Sequence, residues 1–208
     1  NVSEIIKVSK KIYDKGLVCG KSGNVSARFG NYIAITPTLK SLGDLKEKDI
    51  VLVDFEGNTL TKGKPSSEVN MHLEIYKKRP DVNGIVHTHS PYATGFAHSS
   101  KKIKRYEGFG EIKVPYLAEI DYQKPGSDEL AKNASEGLGS EDVLILKKHG
   151  VICVNENLKE EDLITMDLDV TLLNTDKHIL VSLTAESNYT DKIMEKINKY
   201  MYEGKFVG

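Results

Sequence analysis

Short strand-like runs alternate with capped helices along most of this chain, and this alternation limits the fold more than any other feature. Strands are predicted where β-branched and aromatic residues lie between turn residues, at 32–36, 50–55, 82–89, 143–146 and 151–154. Helices are predicted where an N-capping residue or a proline precedes an apolar stripe, at 3–16, 65–80, 90–96 and 127–138. Loops are expected between 97 and 122, and mostly helix from Glu160 onward. Because these elements interleave without a strict βαβ order, the sequence predicts an α/β layered fold.

The length and the charge of the chain favour one globular domain that acts on a small molecule. A chain of 208 residues lies in the range of a single domain, and no linker rich in Gly, Pro or Ser divides it. We therefore expect one domain over residues 1–208. The 29 Lys and Arg residues balance 30 Asp and Glu residues, which leaves a net charge of -1. Such a balance provides no overall field for binding nucleic acid or an anionic membrane.

The cysteines and the hydropathy pattern predict a cytoplasmic protein. Cys19 and Cys153 are far apart and lack the spacing of a zinc finger or a CxxC motif, so we expect two buried thiols in a reducing compartment. No segment approaches the roughly 20 apolar residues that a membrane helix needs. The first residues mix charged and apolar side chains, unlike a signal peptide. Neither export nor a membrane anchor is expected.

Three histidines are the first candidates for chemistry. His87 and His89 end a predicted strand, where residues two apart point to the same side and can share one ion. His149 follows another predicted strand and precedes the turn residue Gly150. Three neutral imidazoles leave Zn²⁺ with an open coordination position, which is typical of catalytic sites. An HxH pair alone is common, however, and is equally consistent with two polar residues at the end of a strand.

Glu68 and His72 lie on the predicted helix that begins near Pro65. Glu68 lies in its first turn, where the positive helix end favours a carboxylate, so it is a candidate metal ligand or proton acceptor. A capping role is the simpler interpretation of Glu68 when the helix is considered alone. His72 is interpreted as a packing or surface residue rather than a metal ligand.

Several short polar segments are candidates for a phosphate site. They offer hydroxyl, amide and backbone N–H groups from loops and from the start of a helix, at Gly23-Asn24, Thr36-Pro37-Thr38 and Ser66-Ser67. None has the spacing of a nucleotide-binding P-loop, and each by itself is typical of an ordinary turn.

Taken in order, these motifs resemble one known family. The chain contains Gly23-Asn24-Val25-Ser26, Ile35-Thr36-Pro37-Thr38, Lys64-Pro65-Ser66-Ser67-Glu68, Val86-His87-Thr88-His89-Ser90 and Lys148-His149-Gly150-Val151, and this series resembles the class II aldolase and adducin family. The resemblance covers about three quarters of the chain. It implies a three-layer α/β/α sandwich with a mixed or largely antiparallel central sheet. It also implies a homotetramer with sites between subunits.

The resemblance further implies which residues form the site. Zn²⁺ would be bound by His87, His89 and His149, and Glu68 would act as the catalytic acid and base and as a fourth ligand without substrate. The substrate phosphate would bind at Gly23, Asn24, Thr38, Ser66 and Ser67. Leu39-Lys40 departs from the family, which often has Gly after Thr-Pro-Thr. Tyr106 and Tyr200 are candidates for tyrosines that the family brings to the site.

The implied reaction is reversible aldol cleavage of a ketose 1-phosphate, such as L-fuculose 1-phosphate, to dihydroxyacetone phosphate and an aldehyde. Zinc would stabilise the enediolate formed as the C3–C4 bond breaks. A pentulose 5-phosphate 4-epimerase and a methylthioribulose 1-phosphate dehydratase are alternatives on the same site. An adducin-like binding module without catalysis is a further alternative, but it predicts missing metal ligands, and all four are present here.

Overall fold

The computed structural model describes residues 2–104, 115–158, 163–165 and 171–173. Helices α1 to α4 span Val2–Asp14, Val69–Lys78, Pro91–Ala97 and Asp128–Leu138. Strands β1 to β7 span Asn24–Phe29, Tyr32–Ile35, Val51–Asp54, Gly84–Thr88, Ala118–Ile120, Val143–Leu146 and Gly150–Asn155. Two short strands follow, β8 at Leu163–Thr165 and β9 at Thr171–Leu173.

The central sheet is mixed but mainly antiparallel, as the family resemblance implies. Its seven strands lie in the order β3-β2-β1-β4-β7-β6-β5. Each neighbouring pair is antiparallel except β5 and β6, which are parallel. Strands β8 and β9 form a separate antiparallel pair. Strand β4 therefore lies in the middle of the sheet, between β1 and β7.

Helices cover both faces of the sheet. The side chains of β7 alternate between two hydrophobic cores, because successive residues in a strand point to opposite faces. Val151 and Cys153 belong to the core that contains Ile5 and Ile12 of α1 and Ala93 of α3. Ile152 and Val154 belong to the core that contains residues of α2 and α4, including Met71, Ile75, Leu130 and Leu138. The three-layer α/β/α arrangement is thus confirmed.

Local sequence explains where the helices begin and end. The Ser127 hydroxyl caps α4 by accepting a hydrogen bond from the backbone N–H of Leu130 at 3.1 Å. Helix α2 ends at Lys78, two residues before Pro80, which cannot continue a helix. Proline at the first position of α3 suits a helix start, as predicted.

Some expectations were wrong. The sequence interpretation missed β1, because one of the two buried faces of this strand carries Asn24 and Ser26, and only the other carries the apolar residues Val25 and Ala27. It also assigned β5 to a loop. The region from Glu160 onward was expected to be mostly helical, but its described residues form β8 and β9. Cys153 is a buried thiol as predicted, whereas Cys19 is exposed in the segment between α1 and β1. Among the described residues, no helix has the length and apolar character needed to cross a bilayer.

Strand pairing brings three chain segments to one end of the sheet. The carboxyl end of β4 pairs with the start of β7, with Thr88 opposite Val151. The start of β1 pairs with the same end of β4, with Asn24 opposite His87. The residues that leave β4, precede β7 and enter β1 therefore meet at a single edge of the sheet.

Candidate metal centre

The three predicted histidines lie together at this edge. His87 is on β4, His89 follows the same strand, and His149 is in the tight turn between β6 and β7. Their candidate ligand nitrogens all lie within 4.8 Å of one another. The Nε2 atoms of His87 and His89 are 3.0 Å apart. The side chains of His87 and His149 are 0% and 6% exposed, so these rings are buried.

Glu68 joins the three histidines. Its Oε2 atom lies 3.2 Å from Nε2 of His87, and its Oε1 atom lies 3.3 Å from Nε2 of His149. The residue is the N-cap of α2, one position before the first turn in which the sequence placed it. At this position the carboxylate faces the histidines while the positive end of α2 favours its charge.

These separations fit a tetrahedral ion. Zinc–nitrogen bonds of about 2.0–2.1 Å place the ligands of a tetrahedral site about 3.3 Å apart. Three of the separations among His87, His89, His149 and Glu68 are 3.0, 3.2 and 3.3 Å, and the three histidine nitrogens all lie within 4.8 Å of one another. The donor set of three imidazoles and one carboxylate also suits zinc and other divalent transition metals.

Hydrogen bonding supports the same conclusion. Nδ1 of His87 lies 2.9 Å from the Val151 carbonyl oxygen, which can only accept, so the ring proton is on Nδ1. Nε2 of the neutral ring then carries a lone pair that faces the Glu68 carboxylate. Within the described structure, the buried Glu68 Oε1 atom has no hydrogen-bond partner. Two acceptors that face each other repel unless a cation lies between them, and a divalent metal ion could supply that cation.

The protonation states favour metal binding. Burial lowers the pKa of His87 and His89 below the usual histidine value. Burial and the neighbouring His87 ring lower the pKa of His149 to about 4. Burial alone would raise the pKa of Glu68, but His87, His149 and the Asn24 amide outweigh it and hold this pKa below its ordinary value. Neutral imidazoles and an ionised carboxylate are the forms that bind metal.

The turn that carries His149 has an unusual backbone. Lys148 adopts a φ of 56°, in the left-handed region that non-glycine residues rarely occupy. Its N–H donates to the Ala97 carbonyl at 2.8 Å, which ties the turn to α3. Gly150 follows, and a Cβ atom there would lie 2.5 Å from the Thr88 carbonyl oxygen and 2.9 Å from the His89 ring. The close packing of histidines therefore depends on glycine at position 150.

Sequence reasoning named Asn24 as a phosphate-binding residue and His72 as a packing or surface residue, but it did not place either of them beside Glu68. Asn24 donates to Glu68 Oε2 at 3.0 Å, and its carbonyl oxygen contacts Nε2 of His72. His72 was interpreted as a packing or surface residue, but it is fully buried with both ring nitrogens in polar contacts. Burial lowers the pKa of His72 to about 3, so the ring is neutral. The spacing of Glu68 and His72, one helical turn apart, is the signal that could have linked them.

The predicted phosphate-binding segments lie side by side. The Thr38 N–H donates to the Lys64 carbonyl at 3.1 Å, and the Ser66 N–H donates to the Thr36 carbonyl at 3.0 Å. Ser66 is buried and Ser67 is exposed. A Cβ at Gly23 would lie 2.9 Å from the His87 carbonyl oxygen, which places this glycine beside the histidines.

Comparison with known proteins identifies the family. Residues 3–180 match the sequence profile of the Class II Aldolase and Adducin N-terminal domain. The chain belongs to the class II aldolase and adducin family. This family is metal-dependent, and the cluster of His87, His89 and His149 could bind a metal ion.

Individual relatives agree with this membership. An L-fuculose phosphate aldolase from Methanococcus maripaludis is 46% identical over 160 residues, which cover 77% of this chain and 87% of that protein. A 3-oxo-tetronate 4-phosphate decarboxylase from Haemophilus influenzae is 31% identical over 173 residues, which cover 80% of this chain and 82% of that protein. A solved structure of an L-fuculose 1-phosphate aldolase superposes with a TM-score of 0.67 at 31% identity, over 74% of each chain. The chain is accordingly a lyase of the class II aldolase type.

The structure shows the conformation and contacts of Leu39-Lys40, the segment that departs from the family pattern. Leu39, where this family often has glycine, adopts a φ of 60° and is 75% exposed. Lys40 lies 2.5 Å from Asp49 in an ion pair, so its charge is already matched by a carboxylate. The two candidate tyrosines, Tyr106 and Tyr200, lie outside the described residues.

We predict that Gly150→Ala weakens metal binding although every ligand is retained. The added methyl group would displace the His89 ring or the Thr88 carbonyl, so metal affinity should fall by about tenfold or more. Metal per chain after dialysis, together with a Zn²⁺ titration, measures the effect. Gly95→Ala is the matched control, because a Cβ at this exposed helical position meets nothing within 4 Å. Wild-type affinity in Gly150→Ala would contradict the prediction.

Proposed function

We propose that this protein catalyses reversible aldol cleavage of a ketose 1-phosphate, with L-fuculose 1-phosphate as the first candidate, to dihydroxyacetone phosphate and an aldehyde. The observation that carries the proposal is the convergence of three imidazole Nε2 atoms and the Glu68 carboxylate. The relative named L-fuculose phosphate aldolase, 46% identical, supports the choice of substrate. We also propose one domain over residues 1–208, in agreement with a family match to residues 3–180.

His87, His89 and His149 are proposed to hold Zn²⁺, with Glu68 as a fourth ligand before substrate binds. A bound divalent ion supplies a Lewis acid beside the ketose oxygens, where negative charge develops as the C3–C4 bond breaks. The three histidines bind as neutral ligands, so they leave the positive charge of the ion uncompensated at this position. The Nδ1–H bond of His87 to Val151 orients its ring for this role.

Glu68 is proposed to move the proton at C3. In synthesis the ionised carboxylate removes a proton from C3 of dihydroxyacetone phosphate. In cleavage the C4 hydroxyl releases a proton as the C3–C4 bond breaks, and Glu68, protonated from that hydroxyl, returns a proton to C3. The two carboxylate oxygens are not equivalent: Oε2 accepts from Asn24, whereas Oε1 is buried with no hydrogen-bond partner among the described residues. Oε1 is therefore the atom that we assign to the proton transfer.

The substrate phosphate is proposed to bind at Gly23, Asn24, Thr38, Ser66 and Ser67. The pairing of segment 36–38 with segment 64–66 supports a common pocket for the last three residues. Remote binding of the phosphate would position the reacting carbons beside Glu68, and positioning contributes directly to rate.

A homotetramer in the cytoplasm, with sites between subunits, completes the proposal. The single chain leaves several large apolar side chains exposed, among them Leu39, Leu60 and Tyr122. Burial of such residues between subunits is consistent with an oligomer.

A panel of ketose phosphates incubated with zinc-loaded protein tests the proposed reaction. We expect dihydroxyacetone phosphate and an aldehyde, identified by mass spectrometry and NMR. An epimer of the substrate would support the pentulose 5-phosphate 4-epimerase, and loss of water would support the dehydratase. Release of CO₂ from a 3-oxo acid phosphate would support the decarboxylase activity for which one relative is named. Any of these three products without dihydroxyacetone phosphate would contradict the proposal.

Glu68→Gln and His89→Ala should separate proton transfer from metal binding. The glutamine keeps an oxygen near the ion but cannot carry the proton, so turnover should fall by about 10²- to 10⁴-fold while most zinc is retained. His89→Ala removes a neutral ligand and should lose both zinc and turnover. Zinc per chain and kcat for each variant measure the two effects. Equal zinc loss in both variants would argue against this division of roles.

Ser67→Ala should weaken the binding of phosphorylated substrates. Loss of the exposed hydroxyl removes a donor from the proposed phosphate pocket, so KM for the ketose 1-phosphate should rise by about tenfold. Zinc content should remain at the wild-type level, because Ser67 does not contact the histidines. The unphosphorylated ketose is the internal control, since its KM should not change. An unaltered preference for the phosphorylated ketose would remove Ser67 from the pocket.

A further inference from the structure

A buried chain of hydrogen bonds leads from the candidate metal centre into the body of the protein. Glu68 Oε2 accepts from Nδ2 of Asn24 at 3.0 Å, and Oδ1 of Asn24 lies 2.5 Å from Nε2 of His72. Nδ1 of His72 lies 2.7 Å from the Ser26 hydroxyl, which in turn lies 2.9 Å from the Tyr76 hydroxyl. The four residues beyond Glu68 are at most 4% exposed.

The carboxylate sets the direction of every bond in this chain. An ionised Glu68 can only accept, so Asn24 turns its NH₂ group toward it and its carbonyl oxygen toward His72. Nε2 of His72 must then carry the proton. The other ring nitrogen has a lone pair, which accepts from the Ser26 hydroxyl, and Ser26 accepts from Tyr76. Each donor in this chain of hydrogen bonds therefore faces an acceptor.

We propose that His72 is a positioning residue for Glu68 and acts through Asn24. The Nε2–H group of His72 holds the Asn24 amide in the orientation that donates to Glu68 Oε2, and this bond leaves Oε1 directed at the metal centre. The inference rests on the proposed function, in which Glu68 serves as both metal ligand and proton carrier.

The geometry distinguishes this role from packing and from metal ligation. His72 lies outside the group of three histidines whose ligand atoms converge, and both of its nitrogens face other partners. A buried polar ring is costly unless it is fully hydrogen-bonded, so an apolar residue would suffice if only volume mattered. The secondary structure suits the proposed role, because His72 follows Glu68 by one turn of α2, and Asn24 and Ser26 lie two apart on β1.

Loss of the His72 donor should release the Asn24 amide. A rotated amide would turn its oxygen toward the Glu68 carboxylate, and repulsion between the two acceptors would shift Glu68. Asn24 was predicted from the family resemblance to bind phosphate, but in this structure both ends of its side-chain amide already bind protein groups. Under this proposal Asn24 links His72 to Glu68, in addition to its expected position beside the substrate phosphate.

His72→Asn and His72→Gln form a matched pair for the test. Both substitutions place a neutral amide at position 72. Glutamine reaches as far as Nε2 of histidine and can still donate to Asn24, whereas asparagine reaches only as far as Nδ1 and cannot. We expect His72→Asn to weaken Co²⁺ and Zn²⁺ binding by about 10- to 100-fold and His72→Gln to remain closer to wild type.

The visible absorption spectrum of the Co²⁺-loaded protein reports on Glu68 without any substrate. We expect a changed spectrum in His72→Asn and in Asn24→Ala, and the same change in the double variant, because His72 acts through Asn24. A wild-type spectrum and affinity in His72→Asn would overturn the proposal. The proposal would also be overturned if the loss of metal affinity in the double variant equalled the product of the losses in His72→Asn and Asn24→Ala. Circular dichroism and thermal unfolding check the fold of each variant. If His72→Asn does not fold, an unchanged spectrum in Asn24→Ala overturns the proposal by itself.

Failure of this proposal is distinguishable from failure of the proposed function. A wild-type protein that binds Co²⁺ but releases no dihydroxyacetone phosphate would refute the aldolase assignment and leave the spectral test intact. An active wild-type protein whose His72→Asn variant has wild-type kcat, KM and spectrum would refute only the positioning role.

Discussion

Three imidazoles and one carboxylate, all able to bind a metal ion, converge in a largely buried space at one edge of the sheet, and the rest of the site depends on this convergence. The nitrogen lone pair of His87 faces a carboxylate oxygen of Glu68 at 3.2 Å, and the neutral ring, whose one N–H is on Nδ1 and donates to Val151, has no proton to place between them. Such an arrangement is repulsive without a cation and favourable with one. Metal binding and the stability of this end of the molecule are consequently linked, because an ion that binds the folded chain stabilises it.

The antiparallel topology supplies the rigidity that such a site needs. Strand β4 is in the middle of the sheet and is held by β1 on one side and β7 on the other. Asn24 is paired with His87 across β1 and β4, and the turn that carries His149 opens β7. Backbone features that would be unfavourable elsewhere are concentrated here, since Lys148 has a positive φ and Gly150 has no space for a side chain. Side chains on strands are placed more precisely than side chains on loops.

Sequence reasoning succeeded where local chemistry and periodicity agree. Strands β4 and β7 are rich in apolar and β-branched residues, so both were predicted close to their observed first and last residues. Strand β1 was missed because two of its four buried positions hold Asn24 and Ser26, which resemble turn residues until their partners are known. These two polar residues, which made β1 hard to predict, are the ones that form hydrogen bonds near the candidate metal centre. His72 was underestimated for a related reason, since its role requires a partner 48 positions away.

The candidate ligands can be found from the sequence alone, because an HxH pair at the end of a strand, a histidine before a glycine and an acid at a helix start are all local patterns. The layered α/β class follows in the same way from the alternation of strands and capped helices. The contact of His149 with His87 and His89, and the hydrogen bonds that link Glu68 to Asn24 and Asn24 to His72, are known only from the three-dimensional structure. Most of these contacts join residues that are far apart in sequence. Strand order and helix packing set such distances, and neither can be read from local propensity.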